Sequence, residues 1–299
     1  IVVDSLIYGH EDSVKWGPLI KGDIADSDLL DKLFTDYPIE LVLHFAAYAY
    51  VAESMVDPEK YYQNNVSGTL SLLRAMRRNG VNKIVFSSTC ATYGIPAVLP
   101  ITEESPQNPI NPYGYTKLVV EKIFKDYQHA YGLNWCALRY FNAAGCDPEG
   151  ELGERHDPET HAIPLAIASA LGAGQPFKVM GTDYDTDDGS AIRDYIHVSD
   201  LADAHVKAAQ YLINGGRSCA LNLATGKGTS VKEVLAAVQA ATGYEVPHEI
   251  APRRFGDPPS LYAQATLAKQ KLGWEPKFTD IKDTVKTATN WFLNHKGIK

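Results

Sequence analysis

Two short runs, FSSTCATYG at residues 86–94 and PYGYTK at residues 112–117, decide how the rest of the chain is read. A β-branched apolar run from Lys83 to Phe86 ends in the hydroxyls of Ser87, Ser88 and Thr89. It has the make-up of a buried strand. About two dozen residues on, after a loop rich in proline and asparagine, a helical pattern carries Tyr113 and Lys117 and runs to Tyr131. A spacing of four puts those two side chains on one face, one turn apart. An ammonium beside a phenol favours the phenolate and draws the tyrosine pKa down from about 10. A hydroxyl at the end of the strand can bond the same substrate oxygen. Together these are the parts of a general base that takes a proton from an alcohol. A lone Tyr-x-x-x-Lys recurs by chance. The weight lies in the order strand, hydroxyl cluster, turn, helix, because open α/β sheets place ligands at the C-terminal ends of their strands.

Outward from this stretch, strand and helix patterns alternate. Glu40 to Ala47 is a near-continuous apolar run, as expected of a parallel strand covered on both faces, and it closes on the small residues Ala46 and Ala47. Asp57-Pro58 supplies a helix cap and a proline for the first helical position, and the helix is expected to run to Arg78. Asn65 sits inside it, either solvated or bridging to a neighbouring loop at the site. Asn134 to Tyr140 is a further strand. Earlier, Ile1 to Asp4 and Pro18 to Asp23 read as strands, with a helix from Asp26 to Thr35. The alternation predicts an α/β fold, a doubly wound parallel sheet of Rossmann type with right-handed crossovers. An acid at a strand tip such as Asp4, about 20 residues after a glycine-rich turn, accepts hydrogen bonds from an adenosine ribose in such folds. No glycine-rich turn precedes Asp4, so the first βα unit is expected to be absent from this chain.

After Phe141-Asn142 the character changes. Gly145 to His161 is a long polar loop, Ser199 or Asp200 is expected to cap a helix to Ile213, and Ser230 with Glu233 forms a capping-box pattern. Residues 142–299 are expected to form a smaller mixed α/β lobe beside a domain at 1–141, with the chain free to cross back.

At 299 residues with 45% apolar and 21% charged content, the chain can bury a sizeable core. A net charge of −8 argues against a general nucleic-acid surface, and no apolar run is long enough to span a membrane. The four cysteines have no metal-ligand spacing and read as buried thiols of a reduced, cytoplasmic protein; no metal is expected.

With these residues placed, the chain closely resembles the extended short-chain dehydrogenase/reductase family, and within it the NAD-dependent UDP-sugar 4-epimerases. The resemblance rests on HFAA at 44–47, YYQNNVSGT at 61–69, the two runs quoted above, LRYFNAAG at 138–145, DGSAIRDYIHVSDLADAH at 188–205 and PRRFGDP at 252–258. It spans essentially the whole chain. It implies that Thr89, Tyr113 and Lys117 are catalytic. It implies NAD contacts for Asp4, Ser5, Asp23, Ile24, Phe45, Ala46, Ala47, Asn65 and Tyr140, besides Tyr113 and Lys117. It implies UDP-sugar contacts for Thr89, Asn142, His161, Arg193, Tyr195, Arg254 and Asp257. Two arginines suit a pyrophosphate, whose oxygens a guanidinium grips in a fork. The implied reaction interconverts UDP-galactose and UDP-glucose through a transient 4-keto sugar. The implied assembly is a homodimer through helices at about 58–79 and 112–131, although Val66, Leu70, Leu73 and Met76 read equally well as core.

Three alternatives stay open at this point. Leu261 stands where some members carry a bulky tyrosine, which suggests room for an N-acetylated sugar. A UDP-pentose substrate, UDP-xylose or UDP-arabinose, fits the same motifs. An inactive nucleotide-sugar binder is the reading from another class. Dehydration is disfavoured, because the dehydratases of this family carry an Asp-Glu pair where this chain has Cys90-Ala91.

Overall fold

The computed structural model describes residues 1–254 and 257–295. In chain order the first elements are β1 (Val2–Asp4), β2 (Leu19–Lys21), α1 (Ser27–Asp36), β3 (Val42–His44), α2 (Val51–Val56) and α3 (Pro58–Tyr61). A π-helical turn over Tyr62–Gly68 leads into α4 (Thr69–Arg78), then come β4 (Lys83–Ser87), α5 (Pro112–Tyr131), β5 (Asn134–Tyr140) and β6 (Asn142–Ala144). The remainder is α6 (Ala162–Ala170), β7 (Phe177–Met180), β8 (Ile192–Arg193), β9 (Tyr195–His197), α7 (Val198–Ile213), β10 (Cys219–Leu223), β11 (Thr229–Ser230), α8 (Val231–Thr242), β12 (His248–Ala251), β13 (Ser260–Leu261), α9 (Thr266–Leu272) and α10 (Ile281–Asn294). The fold is Rossmann-like α/β. None of the described helices is long and apolar enough to cross a membrane.

The chain divides into two compact units. The first holds Ile1–Gly94, Pro106–Arg139 and His205–Leu221; the second holds Ile95–Ser105, Tyr140–Ala204 and Asn222–Lys299. In the first, a sheet in the order β10–β5–β4–β3 runs parallel from β3 to β5, and β1 pairs in parallel with β2. Its core packs Ile84 and Phe86 of β4 and Trp135 of β5 against Leu73 and Met76 of α4 and Val120 and Phe124 of α5. Each such side chain fully buried contributes about 1.5–3 kcal/mol. Leu73 and Met76 are both 1% exposed, so these positions are core. In the second unit, α6, α8 and α10 pack around Ile163, Ile167, Val234, Val238, Val285 and Trp291.

Three local expectations are corrected. The strand expected over Glu40–Ala47 keeps only the three residues that find ladder partners in β4, so Phe45 to Ala47 leave the sheet as a loop. The single helix expected from Asp57 to Arg78 is split by the π-helical turn. Neither Ser199 nor Asp200 caps α7. That helix follows β9 directly, the Ser199 N–H donates to Nδ1 of His197 (3.1 Å), and the Asp200 carboxylate accepts from the N–H groups of Lys277 and Phe278. The capping box of Ser230 and Glu233 is present.

Candidate active site

The first turn of α5 is fixed before any catalytic group appears on it. Asn111 caps the helix, its side chain accepting from the Gly114 N–H at 2.8 Å, and Pro112 occupies the first helical position. Gly114 then allows a close approach: a Cβ there would lie 2.6 Å from the Ala91 carbonyl oxygen. This seats the turn carrying Tyr113 against the short 3₁₀ turn Cys90–Thr92 that follows β4. Tyr113, Lys117 and Glu121 recur at intervals of four and so share one face.

The C-terminal end of β4 meets that face residue by residue. Lys117 Nζ donates to the Ser87 carbonyl oxygen at 2.8 Å, and the Ser88 hydroxyl donates to Glu121 Oε1 at 2.6 Å. Thr89 Oγ1 accepts from the Ala91 N–H at 3.1 Å, which leaves its own hydrogen to donate. Lys117 is 3% exposed, with Nζ 4.7 Å from the Phe86 ring centroid and 6.0 Å from that of Tyr113. Burial pulls its pKa down to about 7. A buried ammonium with one hydrogen bond and no carboxylate partner among the described residues favours any neighbour that brings negative charge, and phenolate at Tyr113 is such a neighbour.

Beneath these groups lies an ion pair that the sequence reading missed. Arg139 donates from Nε to Glu121 Oε1 (3.0 Å), from Nη2 to Oε2 (2.5 Å) and from Nη1 to the Tyr93 hydroxyl (2.8 Å). Gln107 donates to Oε2 as well. Glu121 is 1% exposed and Arg139 3%. The carboxylate raises the arginine pKa further, so the pair stays charged. A signal was available: Glu121 is the third member of the four-residue spacing that singled out Tyr113 and Lys117.

Of the residues expected at the dinucleotide, Asp4, Ser5, Asp23, Ile24, Phe45, Ala46 and Ala47 follow or end parallel strands of the first unit. Asp4 ends β1, with Oδ1 accepting from the Leu6 N–H at 2.7 Å, and Ser5 follows it. Asp23 and Ile24 follow β2, and Asp23 Oδ1 accepts from the Ala25 N–H. Phe45, Ala46 and Ala47 follow β3; Phe45 is 52% exposed, its ring 4.5 Å from that of His205. Asn65 lies within the π-helical turn. Its Oδ1 accepts from Tyr48 N (2.8 Å) and Asn64 Nδ2 (2.9 Å), and its Nδ2 donates to Tyr48 O (3.0 Å) and Thr116 Oγ1 (3.1 Å). All its hydrogen-bonding capacity is used within the chain. Asn65 therefore ties the loop after β3 to α5. His44, which the sequence reading left without a role, is buried and packs neutral: burial, then the Lys117 charge, lowers its pKa to about 3, and its Nε2 lies 2.8 Å from Thr69 Oγ1. The residues fit NAD. The strand tips carry a carboxylate for a ribose, small side chains for close approach and an apolar ring, and the buried Lys117 ammonium has donors to spare for hydroxyls.

In the second unit, β6 carries Asn142 and pairs with β9, which carries the buried Tyr195; their register sets Asn142 opposite Tyr195. Burial raises the Tyr195 pKa to about 12, so it stays a neutral phenol. Tyr140 ends β5. Arg193 and Asp257 are brought together, Nη2 donating to Oδ1 at 2.5 Å, while Arg254 is exposed. Residues 255 and 256 of the PRRFGDP motif lie outside the described residues. His161 stands at the N-cap position of α6, and its Nδ1 lies 2.9 Å from Glu154 Oε1 and 2.8 Å from Glu159 Oε1. Its ring is thus engaged by carboxylates, a partnership the sequence reading did not anticipate.

Residues 1–224 match the profile of the NAD dependent epimerase/dehydratase family. The chain is 51% identical over 295 residues to the UDP-glucose 4-epimerase of Halalkalibacterium halodurans, covering 99% of this chain and 88% of that protein. Its structure is similar to that of the UDP-glucose 4-epimerase from Brucella ovis in complex with NAD (TM-score 0.95, 51% identity, 97% of this chain and 89% of that one). It is also similar to the Bifidobacterium longum UDP-glucose 4-epimerase in complex with NAD+ and UDP (TM-score 0.91, 37% identity, 98% and 90%).

Proposed function

The chain belongs to the NAD dependent epimerase/dehydratase family, and from that premise we infer that it is an NAD-dependent UDP-glucose 4-epimerase, an isomerase interconverting UDP-galactose and UDP-glucose. The observation that carries the reading is the Tyr113–Lys117 turn of α5 packed against the hydroxyl end of β4, with Lys117 buried and lacking a counter-charge among the described residues. Bound NAD would supply a hydride acceptor and donor for the sugar C4, held by Asp4, Ser5, Asp23, Ile24, Phe45, Ala46 and Ala47. Tyr113, as phenolate, removes the proton from the 4-hydroxyl and later gives it back. Lys117 stabilises the phenolate charge. Thr89 donates to the same sugar oxygen, which keeps the oxygen in place as it becomes a carbonyl. Inversion at C4 would require the 4-keto sugar to turn its other face to the same hydride donor, so the nucleotide must be held tightly and the sugar loosely.

The first unit is assigned to NAD through Asp4, Ser5, Asp23, Ile24, Phe45, Ala46 and Ala47. The second is assigned to the UDP-sugar through Asn142, Arg193, Tyr195, Arg254 and Asp257. The Arg193–Asp257 ion pair supports this, because it holds a guanidinium 13% exposed in a fixed orientation. A homodimer is supported by the exposed apolar residues Met55, Tyr62, Ile110 and Tyr115, which line one shallow pocket of the first unit. A cytoplasmic location is supported by the thiols: Cys136 and Cys219 face each other with sulfurs 3.9 Å apart, at the distance of a thiol hydrogen bond.

The test is conversion of UDP-galactose to UDP-glucose in the presence of NAD, followed with a coupled UDP-glucose dehydrogenase. Steady turnover is expected. An inert protein that still binds UDP would leave the family assignment standing and overturn the activity.

A further inference from the structure

We propose that Glu154, His156, Glu159 and His161 form a binding site for one divalent transition-metal ion of the zinc class. The four residues lie within eight positions of one loop of the second unit, and their donor atoms all fall within 4.8 Å of one another. His156 Nδ1 lies 3.2 Å from Glu154 Oε1 and 3.4 Å from Glu159 Oε2. His161 Nδ1 lies 2.9 and 2.8 Å from Glu154 Oε1 and Glu159 Oε1. A tetrahedron with metal–ligand bonds of about 2.0–2.1 Å has edges of about 3.3 Å. The four donor–donor distances given, 2.8–3.4 Å, bracket that edge, and an ion would draw in the remaining pairs, which lie within 4.8 Å.

The donor set selects the ion. Two imidazole nitrogens with two carboxylate oxygens suit zinc, cobalt, nickel or manganese rather than the hard, all-oxygen ions calcium and magnesium. Two carboxylates balance a 2+ ion and leave a neutral complex, which suits a pocket where Glu154 and Glu159 side chains are 15% and 21% exposed. Binding is an exchange: each ligating nitrogen must be free of its proton, so protons leave Nδ1 as the metal enters.

The loop is built to hold these groups. Gly153, next to Glu154, lies against the Trp291 indole so closely that a Cβ would come within 2.0 Å of it. The Asp147 N–H donates to the Leu152 carbonyl, and the Asp147 carboxylate accepts from the Glu151 N–H. At the other end, His161 is the N-cap of α6. A bound ion would fasten the loop to the start of α6 by four bonds from one short segment.

The experiment is zinc binding to chelator-stripped protein by equilibrium dialysis with elemental analysis, alongside cobalt(II) substitution read by its visible d–d absorption. One zinc per chain is expected, with cobalt bands of a tetrahedral nitrogen–oxygen site, and zinc should slow proteolysis of the 145–161 loop. His156→Gln and Glu159→Gln, each a conservative change, should weaken zinc binding by about 100-fold or more. Failure of the stripped wild-type protein to take up one equivalent would overturn the proposal. So would zinc binding of unchanged affinity in both variants, since the ion would then sit elsewhere. Neither result depends on whether the protein turns over UDP-galactose.

Discussion

Lys117 Nζ donates to the Ser87 carbonyl oxygen across 2.8 Å, so the last residue of β4 anchors the ammonium that the catalytic tyrosine requires. The contact ties a charge on a helix to the end of a buried strand. It costs desolvation, because no carboxylate offsets the charge, and that cost is visible as a pKa of about 7. This has a consequence for stability. Above pH 7 the folded chain holds Lys117 neutral, while the unfolded chain keeps the proton up to 10.5. The unfolded state then binds more protons, so stability rises with pH across that window. In the NAD-free protein, the unfolding free energy of wild type minus that of Lys117→Met should be flat below pH 7 and climb from there toward pH 10. Denaturant midpoints at five or six pH values would measure it, and a difference that falls with pH would contradict the buried-ammonium account.

Tyr113→Phe removes the proton acceptor and little else. Turnover should drop by roughly 10²–10⁴-fold, the usual worth of a positioned acid–base group, while UDP binding stays as in wild type. Thr89→Ala should show a smaller loss that falls on kcat, and Thr89→Ser should restore most of it. Equal losses in Thr89→Ala and Thr89→Ser would mean that the methyl group, and not the hydroxyl, matters.

Gly114→Ala pits helix propensity against a backbone clash. Alanine gains up to about 1 kcal/mol in a helix. The added Cβ would meet the Ala91 carbonyl oxygen at 2.6 Å, and backbone cannot swing aside as a flexible side chain can. Overpacking of this kind typically costs 1–3 kcal/mol, about the same scale or larger, so the clash should win. A net loss of stability by urea unfolding is expected, with a greater proportional loss of kcat because the Tyr113 turn is displaced from Thr89. A stabilised, fully active variant would mean that the two turns separate freely.

Breaking the Glu121–Arg139 pair from one side strands a buried charge. Glu121→Leu should destabilise by about 3–5 kcal/mol, whereas Glu121→Leu with Arg139→Met should recover most of that loss. A double-mutant cycle in urea makes the comparison. Additive losses would show that the two groups do not act as a pair.

Arg193→Lys keeps the charge and loses the fork. A hydrogen bond to a charged group is worth about 1.5–3 kcal/mol, so a 10- to 100-fold rise in KM for UDP-galactose is expected, with kcat less affected. A fall in kcat at constant KM would move Arg193 from nucleotide anchoring to the chemical step.

Much of this was legible in the sequence, and the reasons differ from element to element. Four-residue spacing placed Tyr113 and Lys117 on one face, and an unbroken apolar run marked β4. Both signals are local, and both survive without knowledge of the fold. The cap of α7 was misread because Asp200 looks like a capping residue locally, yet its carboxylate serves the N–H groups of Lys277 and Phe278, more than seventy positions away. Arg139 was invisible as a partner of Glu121 for the same reason: only strand pairing brings β5 beside β4. The Glu154–His161 cluster was a different kind of miss. Its residues are close in sequence, but E-x-H-x-x-E-x-H has no helical or strand period, and only the folded loop turns all four side chains to one point.

The π-helical turn over Tyr62–Gly68 means that this segment carries one residue more than a regular helix between the same end points would need. Loss of a single codon there would leave both flanking helices able to form. Within the turn itself it would shift residues by one position, about 100° around the helix axis. Asn65 would then face away from Tyr48 and Thr116 while Leu73 and Met76 kept their places in the core. A deletion scan should accordingly find a folded but inactive protein at this stretch, as substitution of Asn65 would, because both break the tie from Asn65 to Tyr48 and Thr116.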